Sequence, residues 1–368
     1  MRALRLVGSM ITCLMATIAA APAAAGGSGT WTPTGSMEAA RAGQGAVLLN
    51  NGLVLVAGGV GSSGNALASA ELFDPASGRW TPTGSMSVGR AYFIATLLPD
   101  GDVLAAGGQG AGGAGAELYD PAAGRWTAVA SMAQGRSHHA AALLDSGMVL
   151  VAGGIGTSGA ELASAELYDP SAGTWTATGS MHVARAFAVA TRLQGGQILI
   201  AGGSESSSAA GHSAEVFANG QWLPASSMNF ERGSDTAALL PNGSVLLFGG
   251  GPVARGELYS SAAGAWEDTD GFGVAPPVGG QTETLLDGGD VLVAGGVNSY
   301  NDAGTAVRLY EPSTNRWLVT GSLNHARAQH TATLLPDGRI LVAGGELETD
   351  ASGRITATIL ATCEIYLP

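Results

Sequence analysis

A Gly-Gly pair follows an apolar run seven times in this chain, and no other feature restricts its fold so tightly. The pairs are Gly58-Gly59, Gly107-Gly108, Gly153-Gly154, Gly202-Gly203, Gly249-Gly250, Gly295-Gly296 and Gly344-Gly345, spaced 46 to 49 residues apart. The seven tryptophans keep the same step: Trp31, Trp80, Trp126, Trp175, Trp222, Trp266 and Trp317. In six repeats 27 residues separate the tryptophan from the first glycine. A fixed period of this length marks a supersecondary unit that buries its apolar faces only against its neighbours.

Further positions stay in register. Ten residues after six of the tryptophans stands an arginine: Arg41, Arg90, Arg136, Arg185, Arg232 and Arg327. After each Gly-Gly pair comes a Glu-apolar-aromatic triplet, as in Glu71-Leu72-Phe73, Glu117-Leu118-Tyr119 and Glu364-Ile365-Tyr366. The sixth repeat reads Arg308-Leu309-Tyr310 instead and lacks the repeat arginine. Asp-Pro turns (Asp74-Pro75, Asp120-Pro121, Asp169-Pro170) lead to the next tryptophan. Together these residues resemble the repeat of the kelch family, over Trp31 to Pro368. The shorter period and the recurring Gly-His with Trp-Asp pairs of WD-type repeats are missing.

The resemblance implies an all-β fold, a seven-bladed β-propeller with four antiparallel strands per blade. In the first blade, strand a is expected over Arg41–Leu49, a turn at Asn50-Asn51-Gly52, strand b over Leu53–Ala57, strand c at Glu71-Leu72-Phe73 and strand d at Trp80. The chain opens with a d-type segment at Trp31 and stops after a c-type segment. The seventh blade should therefore borrow the N-terminal strand, which leaves the ring no open seam.

The termini and the charge bound the setting. Residues 1–25 read as a secretory signal: Arg2 and Arg5, an apolar run from Leu6 to Ala20, then Ala23-Ala24-Ala25. The apolar run is too short for a membrane span. Residues 26–30 are a short linker, and residues 31–368 the propeller. Beyond the signal the chain keeps one cysteine, Cys363, expected in the core. All 16 basic residues are arginine, against 29 acids. Without Arg2 and Arg5 the net charge is −15 (14 minus 29). Nucleic acid and anionic membrane are poor partners on this balance. The expected protein is secreted or periplasmic and monomeric, without membrane insertion. The lysine-free, Ala/Gly-rich composition suggests a bacterium with GC-rich codons.

Function should sit where the repeat varies. The b–c connection runs 12 residues from Gly59 to Glu71, 7 from Gly250 to Glu257 and 19 from Gly345 to Glu364. The b–c and d–a loops share one face, and rigid scaffolds carry binding residues on variable loops. The six repeat arginines approach that face. Two roles are open to them: binding a carboxylate or sulfate through the guanidinium fork, or tying the scaffold together, which is the expected one. In the sixth b–c loop Asn298, Tyr300 and Asp302 suit sugar stacking and hydrogen bonding. The last loop adds Glu346, Glu348 and Asp350.

Metal sites are weighed on two features. Copper-radical oxidases of the kelch type carry histidines three residues after the repeat arginine, and His139 and His330 hold that position. The resemblance also requires a Tyr-His pair and a cross-linked cysteine, and neither has a counterpart here. The sixth repeat reads Glu267-Asp268-Thr269-Asp270-Gly271, in which Asp268 and Asp270 offer oxygen ligands for calcium without the rest of a calcium loop. No metal and no cofactor are expected. Two functions follow: a non-catalytic propeller binding an extracellular glycan or protein, or an exported kelch-type enzyme, such as a copper carbohydrate oxidase or a sialic-acid epimerase. The first is the expected one.

Overall fold

The apolar run before each Gly-Gly pair is a strand buried on both faces. Val54–Ala57, Val103–Ala106, Val149–Ala152, Ile198–Ala201 and Ile340–Ala343 are buried at every residue. Sheets stacked face to face on both sides give such continuous apolar strands, where a sheet with one wet face would give alternation. The structure, a computed structural model, describes residues 29–111, 113–203, 208–233, 235–251, 255–272, 279–298, 303–348 and 357–368.

Seven four-stranded antiparallel sheets form the blades of a propeller. The first runs outward from the axis as Gly45–Leu48, Val54–Ala57, Ala70–Asp74 and Arg79–Thr83. The innermost strands touch one another in a closed circle around the channel. Strand c alternates, with the aromatic of its triplet facing the tryptophan of strand d. Tyr168 pairs with Trp175 in register, ring centroids 5.0 Å apart, and each blade repeats this contact. In five blades the indole N–H then reaches the preceding d–a connection, as from Trp80 to the Gly35 carbonyl at 2.9 Å, whereas Trp317 donates to Thr269 Oγ1 and Trp126 Nε1 has no partner. The tryptophan thus joins two strands and two blades at once.

The ring closes as the order of segments predicts. Thr30–Pro33 pairs antiparallel with Cys363–Leu367, placing Trp31 opposite Tyr366. That N-terminal strand is the outer strand of the seventh blade, beyond Thr331–Leu334, Ile340–Ala343 and Cys363–Leu367. Cys363 is buried in the core between the first and seventh blades, and burial pushes its thiol up to about 11.

Two local features depart from expectation. Strand a of the first blade begins at Gly45, not Arg41, because Gly43 takes a left-handed conformation (φ 61°) that interrupts the ladder. The acidic segment of the sixth repeat is no loop. It lies in the extended strand Ala265–Gly271, the outer strand of the fifth blade. Among the described residues only one short helix occurs, Ser208–His212, in the fourth b–c connection.

Candidate functional site at the channel mouth

The repeat arginines face inward to their own blades. Arg41 Nη1 donates to the Gly58 carbonyl at 2.7 Å and to the Ser69 carbonyl at 3.0 Å, while Nη2 meets Glu71 Oε1 at 2.9 Å. Arg90, Arg136, Arg185 and Arg327 repeat the arrangement with Glu117, Glu166, Glu215 and Glu364, and Arg232 reaches Glu257 through Nε at 2.7 Å. All six arginines are at most 1% exposed.

The glutamate of each pair has a second task. Glu71 accepts the backbone N–H groups of Glu38 and Ala39 at 2.7 and 3.1 Å, in the d–a connection that enters the blade. Burial works against the charge on Glu215 and Glu364, yet hydrogen bonds from the backbone and side chain of His182 and of Asn324, and then the arginines, hold both carboxyls below the usual range. The pair is a clasp that fastens the crossover between blades, and its positive charge is not presented to solvent.

The clasp is lost as a unit in the sixth blade. Arg308 stands where the other blades have glutamate, and its guanidinium lies 5.5 Å from the Phe272 ring. Phe248, Phe272 and Trp317 pack together there with centroids 4.5 to 5.0 Å apart. An aromatic cluster substitutes for the ion pair at that junction.

The residue three past each arginine explains the di-glycine. His139 lies between two glycines: a Cβ on Gly107 of the second blade would come within 2.6 Å of His139 Cε1, and one on Gly154 within 2.7 Å of His139 Cβ. His330 packs likewise against Gly295 and Gly345, Phe93 against Gly58 and Gly108. Buried methionines six residues after the tryptophans, Met86, Met132 and Met181, reach the same first glycines. Neither ring nitrogen of His139 has a hydrogen-bond partner, whereas His330 Nε2 lies 3.1 Å from Thr282 Oγ1. Burial first, then the arginine charge, pushes both imidazoles down to about 3, so they are neutral.

Two residues past the repeat arginine, and at the equivalent Gly280 of the sixth blade, the chain turns left-handed at the channel mouth. Gly43, Tyr92, His138, Phe187, Gly280 and Gln329 have φ between 51° and 68°. Their backbones form an interblade chain of hydrogen bonds: Gln329 donates to Gly280 at 2.8 Å, Gly43 to Gln329 at 2.9 Å, Tyr92 to Gly43 at 2.9 Å, His138 to Tyr92 and Phe187 to His138 at 3.0 Å. The fifth-blade counterpart, Ser234, lies outside the described residues. Left-handed backbone is unfavourable for Tyr, His and Phe, and such strain concentrates where a site over-determines it.

These three side chains stack across neighbouring blades. The Tyr92 and His138 rings are 4.4 Å apart at 25°, His138 and Phe187 4.3 Å apart at 40°. All three are half-buried. The Gln109 amide donates to His138 Nε2 at 3.0 Å. Burial pushes the His138 imidazole down to about 4, leaving it neutral. Burial, and then the nearby Glu346 carboxylate, raises the Tyr92 phenol. Gly43 and Gly280 leave the mouth without side chains in the first and sixth blades. The arrangement is a preorganised aromatic platform with amide neighbours, suited to contact with a ring face or a cation rather than to proton transfer.

The other candidates are placed apart from this platform. Asn298 is half-buried beyond the sixth-blade strand Val291–Val297, while Tyr300, Asp302 and Asp350 lie outside the described residues. Asp268 accepts from Asn229 Nδ2 at 2.7 Å on the outer strand of blade five. Among the described residues no three His, Cys, Asp or Glu side chains converge as a metal site. His139 and His330 stand in the third and seventh blades, each enclosed by glycines, and the Cys363 thiol is in the core. These residues do not fit a copper centre. Two clefts lie on the opposite face. One of about 750 Å³, lined by Asp145, Leu167 and Phe217, has a counterpart of about 350 Å³ at Asp287, Leu309 and Tyr366. Their recurrence at equivalent positions marks them as seams between blades.

Sequence reasoning missed the left-handed ring and the methionines. The methionines were visible as a period. The ring was not, because its members share a backbone conformation and no side-chain chemistry.

Comparison with known proteins agrees with this fold. The model of the kelch motif matches residues 40–87 and 135–182. No curated protein matches the chain. Among solved structures, a fungal alcohol oxidase described as having catalytic diversity among the AA5 family, in complex with copper, superposes with a TM-score of 0.73. The match covers 92% of this chain and 76% of the oxidase at 18% identity, a likeness of fold alone. The chain is a seven-bladed β-propeller in which residues 40–87 and 135–182 match the kelch motif.

Proposed function

We propose that the protein is an exported, monomeric binding propeller that contacts an extracellular glycan or protein through the channel-mouth face. The observation that carries this reading is the stack of Tyr92, His138 and Phe187 on left-handed backbone. Three strained positions in adjacent blades hold rings at the opening of an otherwise repetitive scaffold. Propellers of kelch motifs are interaction scaffolds, and variation at one end of a rigid frame is how such scaffolds acquire partners. Export rests on the N-terminal segment: basic residues, an apolar run and small residues before Gly26.

Binding is tested with the mature chain and a Tyr92→Ala/Phe187→Ala variant on an immobilised panel of polysaccharides, and by crosslinking to extracellular proteins. A ligand retained by the mature chain and lost by the equally stable variant supports the reading. No ligand in either format, or one held equally by both forms, overturns it. Export is tested by N-terminal sequencing of the protein recovered outside the cytoplasm. A start at Gly26 is expected, and a cytosolic protein retaining residues 1–25 counts against it.

A further inference from the structure

The fourth blade departs from the repeat at three places on the face opposite the mouth. Arg192 ends its inner strand, where the other six blades have leucine: Leu48, Leu97, Leu143, Leu239, Leu285 and Leu334. Gly195, three residues on, stands where five blades have Asn, Asp or Ser, and the sixth blade shares the glycine as Gly288. The connection from strand c to strand d is shorter as well: Glu215 to Trp222 is 7 residues, against 9 at the equivalent positions of five blades. It is a two-residue hairpin turn with left-handed Asn219 (φ 51°) and Gly220 (φ 78°), the pair that a type I′ turn demands.

These departures meet at one seam. The cleft of about 750 Å³ between the third and fourth blades is lined by Gly195 and by Phe217, Asn219 and Gly220 of the shortened hairpin. The cleft between the first and second blades has about 310 Å³; there the longer turn contributes Asp120 and Pro121, and Tyr119, the counterpart of Phe217, does not line it. The short turn lowers that wall and opens the seam onto strand c. Its chemistry differs too. Met148 stands where the sixth blade presents Asp290 to its seam, and Gln197 where the second blade presents Asp102. Half-buried Leu144, Met148 and Leu167 make an apolar floor, with the exposed amides of Gln197 and Asn219 at the rim. Asp145 is the one charged side chain among the described lining residues, and Arg192 pairs with it.

We infer that the seam between the third and fourth blades is a second binding site, for an uncharged amphipathic small molecule: an apolar body of one or two rings with amide or hydroxyl groups along one edge. The site goes beyond the binding reading above and lies on the other face of the propeller. Small-ligand clefts hold about 300–1,000 Å³ and use a few polar groups around an apolar lining to orient what they bind. The methionine thioether adapts its shape to such a body. With Asp145 paired to Arg192, a charged ligand finds no free counter-charge in the lining and adds its own desolvation cost.

NMR titration of the mature protein with isotope-labelled methionine methyls tests it, because Met148 reports from inside the cleft and is assigned through Met148→Leu. Naphthalene-2-carboxamide should shift the Met148 signal to saturation. Naphthalene-2-carboxylate, the same body with a negative charge, should bind about fivefold more weakly. Acetamide, the edge without the body, should not saturate the shift. Gly195→Trp should fill the cleft and weaken the carboxamide several-fold, while Gly288→Trp, the same change in the sixth blade, should leave it unchanged. A Cβ would meet Gln197 Oε1 at 3.4 Å at the first position and nothing within 4 Å at the second, so both accept a side chain. No saturable shift of Met148, equal or tighter binding of the carboxylate, saturation by acetamide over the same concentrations, or an effect of Gly195→Trp no larger than that of Gly288→Trp overturns the inference. Loss of the shift in Tyr92→Ala/Phe187→Ala also overturns it, since the probe would then sit at the mouth. If Gly195→Trp fails to fold, the comparison of carboxamide, carboxylate and acetamide on the unmodified protein decides. The mouth reading stands or falls separately, through its own ligands and the Tyr92→Ala/Phe187→Ala variant.

Discussion

Tyr366 in the last strand of the chain lies directly across from Trp31 in the first, with ring centroids 5.0 Å apart. Every other blade makes this contact within one continuous repeat, but here it joins the two ends of the protein. Trp31 Nε1 also donates to the Gly321 carbonyl at 2.8 Å, and the Tyr366 hydroxyl lies 2.7 Å from Thr320 Oγ1. Trp31→Ala should lower stability by about 3–5 kcal/mol, the usual cost of deleting a large buried ring. Deletion of residues 31–34 should destabilise the whole ring. Denaturant midpoints measure both, and an unchanged midpoint for Trp31→Ala would show that closure does not depend on this pair.

The clasp makes a prediction about pairs. Arg136→Met strands Glu166 in a buried site, which should cost about 3–5 kcal/mol. Arg136→Met/Glu166→Leu removes both charges and should recover a large part of that loss. The sixth blade already lacks the clasp and substitutes packed rings. A double variant as unstable as the sum of the single ones would mean that the clasp acts mainly through the backbone groups it satisfies.

His139 occupies a site that the second blade fills with Phe93. Its two ring nitrogens are buried without partners. Replacing it by phenylalanine should stabilise the protein at pH 7 by about 1–3 kcal/mol, the desolvation cost of unsatisfied polar atoms. Thermal or chemical unfolding reads the difference, and a loss of stability would show that the imidazole has a role that phenylalanine cannot take.

Acid sensitivity follows from the same residues. Burial holds His139 and His330 near 3 in the folded state, below the ordinary value of 6.5. The unfolded chain therefore binds protons first. The stability involved is fully present above about 6.5 and is lost as pH falls from there toward about 3, at about 1.4 kcal/mol per pH unit for each histidine. Stability measured between those limits should fall less steeply for His139→Phe. Parallel curves for the two proteins would refute a neutral buried His139.

The di-glycine can be separated from ordinary turn glycines. Gly52 (φ 83°) has open space where a Cβ would stand, whereas at Gly107 (φ 73°) a Cβ would meet the Arg136 carbonyl at 2.5 Å and His139 at 2.6 Å. Gly52→Ala should cost about 1 kcal/mol from backbone conformation alone. Gly107→Ala should cost several times more, because the neighbouring blade must also move. Equal melting temperatures for the two variants would mean that the blade junction yields freely.

The residues of the repeat carried most of the fold in plain view. Seven Gly-Gly pairs, seven tryptophans and six arginines in step specify seven equivalent sheets, and the order of segments specifies that Trp31 closes the ring. These features were legible because a repeat imposes the same packing demand at the same spacing, and a shared demand selects a shared residue. The candidate site was less legible for the opposite reason. Gly43, Tyr92, His138, Phe187, Gly280 and Gln329 have no chemistry in common, and only the folded backbone shows that they form one left-handed ring. The arginines were read as near the mouth, but their burial depends on glutamates about 30 residues further along the chain and on carbonyls of the b–c turn. By itself the sequence determined the architecture, since periodic packing is local and repeated. Tertiary structure alone decided which side chains face the mouth, because that depends on backbone conformation and on contacts between blades.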